Sequence, residues 1–337
     1  MIRDAEHSQL IIHPGGLGDV LLALPAMAFL RRRAPRGRMI LLAGSEVGGL
    51  LQACGVVEGT LTTESGDLAA LLSGAEQLPV RLFELLRGCN RVVGWLTDHD
   101  GALRSTLQRL GIQCIVLESP TPRVGVHQSV RFLNVLNETP ATLAPPPRLA
   151  VPEEFRQAGA TVLRGTGVLE GQECVLCHPG SGSTHKCARP EIIAKVLRGF
   201  RVRGVMPVIV GGPADGPAIE RIKSLGVRDI PVIHNQNLAT MAGILVQASL
   251  FVGHDSGLTH LAGALQIPTV AIFGPTDPVQ WAPLGDHVAV VTGPACTCSG
   301  WELVRACDAK LCLAIRPEEI LTAASSALSR YRKVTKT

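Results

Sequence analysis

Short apolar runs alternate with longer segments of helical periodicity along most of this chain. The runs are Leu10–His13, Met39–Ala43, Arg91–Leu96 and Gln113–Leu117 in the first half, and Cys174–His178, Pro207–Val210, Pro231–Ile233, Leu250–Val252, Thr269–Phe273 and Val288–Val291 in the second. Unbroken apolar strands that each precede a helix are typical of parallel sheets covered by helices on both faces. The pattern therefore predicts an α/β protein with parallel sheets.

The length of the chain, 337 residues, fits two domains better than one core. Residues 139–152 contain five prolines and predict a stiff connector: Pro140, Pro145, Pro146, Pro147 and Pro152. We expect two Rossmann-like domains, residues 1–150 and 151–337, the second ending in a helix from Arg316 to Lys333. Since ligands of open parallel sheets bind beyond the carboxyl ends of the strands, we expect the two sheets to face each other across a cleft.

Composition excludes several classes of partner. The net charge of +4 is too weak to indicate nucleic acid, and 3% aromatic residues argue against a stacked aromatic platform.

The first nine residues are polar and charged, which predicts no signal peptide. The apolar stretch Val20–Leu30 is shorter than a membrane span and contains Pro25. We expect a cytoplasmic protein whose ten cysteines are mostly thiols.

A glycine-rich turn, HPGGLGDV at residues 13–20, follows the first predicted strand and begins a helix. Gly16 and Gly18 allow a tight turn, and a helix start attracts anionic groups. A dinucleotide fingerprint is excluded, because Leu21 occupies the third glycine position and no acidic residue ends the second strand. Asp19, kept ionised by the helix dipole, is a candidate to accept a proton from a hydroxyl; the alternative is a helix cap.

Two further loops follow strands of the second half. The loop HPGSGSTHK at residues 178–186 combines small residues, hydroxyls and Lys186, which suits a diphosphate; a flexible polar loop is the alternative. The segment GHDSGLTHLA at residues 253–262 places Asp255 or Ser256 at a helix start, where free amides bind phosphate, and His260 in its first turns. A capping aspartate with a packed histidine is the alternative there.

Together these segments resemble glycosyltransferase family 9, the ADP-heptose:lipopolysaccharide heptosyltransferases of bacteria. The matching positions are residues 18–21 with Pro25, residues 178–181 with Lys186, residues 255–260, residues 273–276, and Trp281 with Pro283. They occur in the order of the family, between about Leu10 and Ile320. The chain departs from the family after Lys186, where Cys187 to Pro190 replace a Trp-Pro pair.

The resemblance implies a GT-B fold with an acceptor-binding first domain and a nucleotide-sugar-binding second domain. It implies inverting, metal-independent transfer of a heptose or related sugar from an ADP-sugar to a lipopolysaccharide-core or related glycan, with the nucleotide sugar as co-substrate and no cofactor. By position, Asp19 is the general base and Gly16 and Gly18 lie in the acceptor-side loop. The implied donor-site residues are Ser181, Gly182, Ser183, Lys186, Glu220, Asp255, Ser256, Gly257 and His260.

Three other features have alternative interpretations. Asp98-His99-Asp100 has the spelling of a metal-binding DxD motif, but its place in the first half favours a surface loop. Cys296, Cys298, Cys307 and Cys312 are spaced irregularly for a zinc ribbon, so thiols, bound metal and a disulfide all stay open. Arg31, Arg32, Arg33, Arg36 and Arg38 predict a solvated helix end or a contact with anionic lipid at the inner face of the cytoplasmic membrane.

Three other functions are alternatives to sugar transfer. A GT-B-type nucleotide-sugar epimerase needs additional acid and base carboxylates that are not evident here. A non-catalytic nucleotide-sugar-binding protein would not need Asp19 and Lys186 together. An NAD-dependent dehydrogenase is disfavoured by the failed fingerprint.

Overall fold

The computed structural model describes residues 8–74, 78–136, 148–169 and 171–334. The chain divides into two compact units, Met1–Ala150 and Val151–Thr337. Of the five prolines of the connector, the first four lie outside the described residues, and Pro152 is the N-cap of a helix.

The first unit contains one five-stranded sheet in which every pair of neighbouring strands is parallel. Its strands are β1 Ser8–Ile12, β2 Met39–Ala43, β3 Gly59–Thr62, β4 Cys89–Gly94 and β5 Cys114–Leu117, in the spatial order β3-β2-β1-β4-β5. Strands β1 and β2 are buried along their whole length, as expected where helices cover both faces.

The helices of the first unit are α1 Leu17–Leu22, α2 Leu24–Arg33, α3 Ser45–Ala53, α4 Asp67–Leu72, α5 Val80–Leu86, α6 Ala102–Arg109 and α7 Gln128–Asn134, with a 3₁₀ turn at Thr63–Ser65. One face of the sheet packs on a core that includes Leu10, Ile40, Val92 and Leu103. Sequence analysis missed β3, because this edge strand alternates buried Gly59 and Leu61 with half-buried threonines and has no continuous apolar run.

The second unit contains a six-stranded sheet, also parallel throughout. Its strands are β6 Cys174–His178, β7 Met206–Gly211, β8 Val232–His234, β9 Leu250–His254, β10 Thr269–Phe273 and β11 Val288–Thr292, in the spatial order β11-β10-β9-β6-β7-β8. All six lie where apolar runs predict strands, with ends that differ by at most two residues.

The helices of the second unit are α8 Glu153–Gly165, α9 Pro190–Val202, α10 Gly216–Lys223, α11 Leu238–Leu245, α12 Gly257–Ala264, α13 Pro278–Trp281, α14 Trp301–Arg305 and α15 Pro317–Val334, with 3₁₀ turns at Thr184–Lys186 and Leu311–Leu313. Helix α9 begins at a proline, whose missing N–H is harmless in the first turn, and buries Ile193, Val196, Leu197 and Phe200 at helical spacing. Within the described ranges, no helix combines the length and the apolar character that a membrane crossing requires.

The strand order of each sheet reverses at one place. In the first unit the chain adds β2 and β3 on one side of β1 and then β4 and β5 on the other, so the reversal lies between β1 and β4. In the second unit it lies between β6 and β9. Loops leaving the carboxyl ends of the two strands at such a switch point diverge and leave a crevice, where ligands of doubly wound sheets bind.

Candidate active site

The loops after β6 and β9 bring the predicted donor-site residues of the second unit together. Residues 180–186 leave the end of β6, and Asp255 and Ser256 leave the end of β9, which pairs directly with β6. The Ser181 hydroxyl donates to the backbone carbonyl of Asp255 and ties the two loops to each other. These residues therefore share the switch point of the six-stranded sheet.

Asp255 is the centre of this cluster. Its Oδ2 accepts a hydrogen bond from Lys186 Nζ at 2.8 Å and another from Thr276 Oγ1 at 2.8 Å, while its Oδ1 lies 3.8 Å from His260 Nε2. Burial alone would raise the pKa of Asp255, but the neighbouring His260 and Lys186 side chains outweigh it, so that the pKa lies well below its usual range. Asp255 is therefore a carboxylate at neutral pH.

A second polar pair lies beside the first. His178, the last residue of β6, places Nε2 3.0 Å from Asp215 Oδ2 and Nδ1 3.2 Å from the Ser256 hydroxyl. Asp215 Oδ2 also accepts from the Gly212 amide at 2.7 Å. A Cβ atom on Gly180 would lie 1.8 Å from Asp215 Oδ1, so only glycine permits this close approach.

Two further residues hold the lysine loop in place. Ser183 is the N-cap of the 3₁₀ turn Thr184–Lys186, and its hydroxyl accepts from the His185 amide at 3.3 Å. His254 Nε2 accepts from the Ala188 amide at 3.0 Å. Burial lowers the pKa of His254 to about 4, which keeps the ring neutral and able to accept this hydrogen bond.

Helix α12 begins at Gly257, immediately after Asp255 and its N-cap Ser256. The Ser256 hydroxyl accepts from the Thr259 amide, which leaves this helix with the usual side-chain cap. The N-terminus of a helix carries a partial positive charge and favours anionic groups. The start of α12 therefore adds partial positive charge beside the Lys186–Asp255 ion pair.

In the first unit, Asp19 lies in the first turn of α1, after β1. Its Oδ2 accepts from the Gly16 amide at 3.1 Å, so the carboxylate satisfies a free backbone donor at the helix start, as the capping alternative expects. His13 Nδ1 accepts from the Gly15 amide at 3.3 Å, and a Cβ on Gly15 would lie within 3 Å of both His13 Cε1 and Asp19 Cβ. The turn therefore packs tightly around Gly15.

The imidazole of His13 belongs to an aromatic cluster at the switch point of this sheet. Its ring centroid lies 5.6 Å from Trp95, which follows β4, and 5.2 Å from Phe132 of α7. Burial lowers the pKa of His13 to about 4. A neutral ring with Nδ1 as acceptor carries its proton on Nε2.

Other predicted features lie outside these clusters. Glu220 is exposed in the second turn of α10. Asp98 and Asp100 accept hydrogen bonds from amides at the start of α6, so the DxD spelling describes a helix cap. Arg31 donates to Glu58 at 2.6 Å and is part of an ion pair. In the described parts of the chain, no group of three or more His, Cys, Asp and Glu side chains is arranged to hold a metal ion.

The late cysteines are free thiols, and Cys296 and Cys307 are neighbours of both Cys298 and Cys312. Cys312 is buried in the core of the second unit, and Cys296 packs against the same core. Desolvation and the neighbouring thiols of Cys296 and Cys307 raise the pKa of Cys298 to about 11.

Sequence analysis did not anticipate Asp215, His254 or Thr276 as members of the polar network. One weak sequence feature could have indicated Asp215 as a site residue: it lies four residues after the end of β7.

The two buried histidines predict acid sensitivity of the fold. Because their folded-state pKa values of about 4 lie below the ordinary 6.5, the unfolded chain binds protons first as the pH falls. The free energy of unfolding should therefore fall between pH 6.5 and 4, by about 2 kcal/mol per histidine at pH 5. Urea unfolding at pH 7 and pH 5 measures this loss.

The variant His254→Gln keeps an acceptor for the Ala188 amide but does not titrate. Its free energy of unfolding should depend less steeply on pH than that of the wild type in the same window. Equal pH dependence of the two proteins would contradict the assignment of a neutral, buried His254.

Comparison with known proteins gives concordant matches. Glycosyltransferase family 9 (heptosyltransferase) matches residues 105–309. Lipopolysaccharide heptosyltransferase 3 of Escherichia coli is 28% identical over 122 residues, which are 35% of this chain and 36% of that protein, so the chain spans about a third of this relative.

Solved structures resemble the chain over almost its full length. A glycosyltransferase family 9 protein from Veillonella parvula has a TM-score of 0.82 at 17% identity, covering 98% of this chain and 99% of that one. The E. coli ADP-heptose heptosyltransferase II has a TM-score of 0.70 at 18% identity, covering 96% and 99%. At these identities the likeness shows the fold alone. It confirms the predicted α/β class and the predicted GT-B fold with two Rossmann-like parallel sheets.

Proposed function

The chain belongs to glycosyltransferase family 9, and from this membership we propose that it transfers a heptose or a related sugar from an ADP-sugar to a lipopolysaccharide-core or related glycan. The transfer inverts the anomeric carbon and uses no metal ion. The observation that carries the proposal is the Lys186–Asp255–Thr276 cluster at the switch point of the six-stranded sheet.

The cluster suits a nucleoside diphosphate for electrostatic reasons. Lys186 offers one positive charge, and the start of α12 adds the partial charge of its dipole. Asp255 holds the lysine at 2.8 Å, so the ammonium is oriented before any ligand arrives. Preorganised charge of this kind stabilises negative charge that develops in a transition state. Ser181, Gly182 and Ser183 supply the small residues that let a diphosphate approach the loop backbone.

We propose a single displacement as the chemical step. The acceptor hydroxyl loses its proton to the Asp19 carboxylate while its oxygen forms a bond to the anomeric carbon. The bond from that carbon to the diphosphate oxygen breaks on the opposite face, and the nucleoside diphosphate leaves with the electron pair. Lys186 neutralises the charge that the leaving phosphate gains.

The acceptor is proposed to bind the first unit, where Gly16 and Gly18 flank the start of α1 beside Asp19. The proposed partners are the nucleotide sugar and a glycan or glycolipid, with the reaction in the cytoplasm or at the inner face of its membrane. Arg32 is exposed on α2 beside Phe29, where its charge is placed to meet an anionic acceptor or lipid.

A thermal-shift series tests the donor proposal. Among ADP, GDP, UDP, CMP and NAD, ADP should give the largest rise in melting temperature, because a ligand that binds only the folded state stabilises it. Lys186→Ala should abolish the ADP shift, since it removes the charge that faces the diphosphate.

Lys195→Ala is the matched control. Lys195 is exposed on α9, and its substitution removes the same charge from the same unit. This variant should keep the wild-type shift. A shift with NAD alone, or an ADP shift that survives Lys186→Ala, would contradict the proposed donor site.

A further inference from the structure

Trp301 lies against the lysine of the proposed donor site, although it is 115 positions away in the sequence. It is the first residue of the short helix α14, and Lys186 Nζ lies 5.7 Å from the centroid of its ring. An ammonium at this distance over an indole face makes a favourable cation–π contact. Trp301 therefore borders the same charge that is proposed to bind the diphosphate.

Two more contacts join the segment that carries Trp301 to the lysine loop. Lys310 Nζ donates to the Thr184 carbonyl at 2.9 Å, and Arg189 Nη2 donates to the Ala309 carbonyl at 3.3 Å. Both bonds link residues 184–189 to residues 309–310. The segment and the lysine loop are thus joined on both sides of Lys186.

The base of this segment is anchored in the core. The Gly293 amide donates to the Cys312 carbonyl at 3.1 Å, and a Cβ on Gly293 would lie 2.7 Å from that oxygen. Cys312 is buried, and Cys296 packs against the same hydrophobic core. These contacts hold together the two ends of the segment that carries Trp301, which reduces the cost of ordering this segment when a ligand binds.

Trp301 is 43% exposed, which is unusual for the largest apolar residue. Trp95, in contrast, is fully buried in the first unit. A half-exposed indole beside an oriented cation combines an apolar surface with a nearby charge, which suits a ligand that is partly charged and partly apolar. A sugar bonded to a phosphate has this chemistry, because one face of its ring presents C–H groups.

We propose that Trp301 stacks on the sugar ring of the donor nucleotide. This inference rests on the proposed function, in which Lys186 neutralises the phosphate that leaves the sugar. That phosphate is bonded directly to the sugar, whereas the nucleobase is separated from it by a ribose and a second phosphate. An aromatic ring next to Lys186 is therefore closer to the sugar than to the base.

Isothermal titration calorimetry with ADP and with ADP-heptose separates the sugar contact from the phosphate contact. For Trp301→Ala, the dissociation constant of ADP-heptose should rise about 3-fold to 10-fold, the range of a single aromatic stacking contact. The dissociation constant of ADP should stay within about 2-fold of the wild type, since Asp255 still holds Lys186. Trp301→Phe keeps an aromatic face and should recover most of the ADP-heptose affinity.

Leu303→Ala is the matched control, because Leu303 is 53% exposed on the same helix. It should bind both nucleotides as the wild type does. Equal weakening of ADP and ADP-heptose by Trp301→Ala would overturn the sugar assignment in favour of a nucleobase or phosphate contact, and no weakening of either would overturn it as well. Failure of the wild type to bind ADP and ADP-heptose would instead refute the proposed function, and this inference with it.

Discussion

Replacing Asp19 with asparagine should lower kcat for sugar transfer by about 10²-fold to 10⁴-fold, the usual contribution of a general base. Asparagine has nearly the same shape and keeps an oxygen that can accept from the Gly16 amide, so this hydrogen bond can persist. It cannot accept the proton of the acceptor hydroxyl. The expected loss is therefore in the chemical step and not in folding or donor binding.

Two measurements separate these effects. Release of ADP from ADP-heptose in the presence of an acceptor glycan gives kcat, and the ADP thermal shift reports the donor site, which should not change. Asp67→Asn is the matched control, because Asp67 also lies in the first turn of a helix of the first unit. A loss of kcat smaller than about 10-fold for Asp19→Asn would exclude Asp19 as the base.

Most of the fold could be predicted because the signal is local. Strands buried on both faces, such as β2 and β10, are nearly continuous apolar runs that end at glycine-containing turns. The α/β class predicted from these runs and family membership predicted from the turns between them are both confirmed. Strand β3 was not predicted, because an edge strand is less buried than a central one and needs fewer apolar residues. Two of the four residues of β3 are threonines.

The polar network of the candidate site was harder to predict, because its contacts are distant in sequence. Lys186 and Asp255 were both predicted site residues, but their hydrogen bond joins loops 69 positions apart. His178 and Asp215 meet only because β6 and β7 are neighbours in the sheet. Register and strand order decide such pairs, and neither can be read from the motifs alone.

Local capping accounts for the DxD motif, which sequence analysis assigned to a surface loop and not to a metal site. The Asp98-His99-Asp100 spelling is accounted for by hydrogen bonds to amides of Leu103, Arg104 and Ala102 at the start of α6. Acidic side chains at helix starts are favoured by the helix dipole regardless of function. Sequence analysis made no inference about Trp301, because its contact with Lys186 joins residues that are 115 positions apart.

Replacing Asp255 with asparagine should destabilise the second unit by about 3 kcal/mol or more, because it leaves Lys186 and His260 without their buried carboxylate partner. The Asp255 side chain is buried, and solvent therefore compensates little for the lost charge. The same change should weaken ADP binding, since the lysine would no longer be oriented before the ligand arrives. Urea unfolding and the ADP thermal shift measure the two effects.

The pH dependence of this loss tests its electrostatic cause. Because the folded-state pKa of Asp255 is depressed, its contribution to stability is fully present above the unfolded pKa of about 3.9 and is lost as the pH falls toward the folded pKa. The difference in unfolding free energy between wild type and Asp255→Asn should thus be constant from pH 7 to about pH 5 and shrink below about pH 4. Asp277→Asn, a substitution of the exposed N-cap of α13, should be nearly neutral, because asparagine caps as well as aspartate. A difference for Asp255→Asn that stays constant below pH 4 would assign the loss to packing instead of charge.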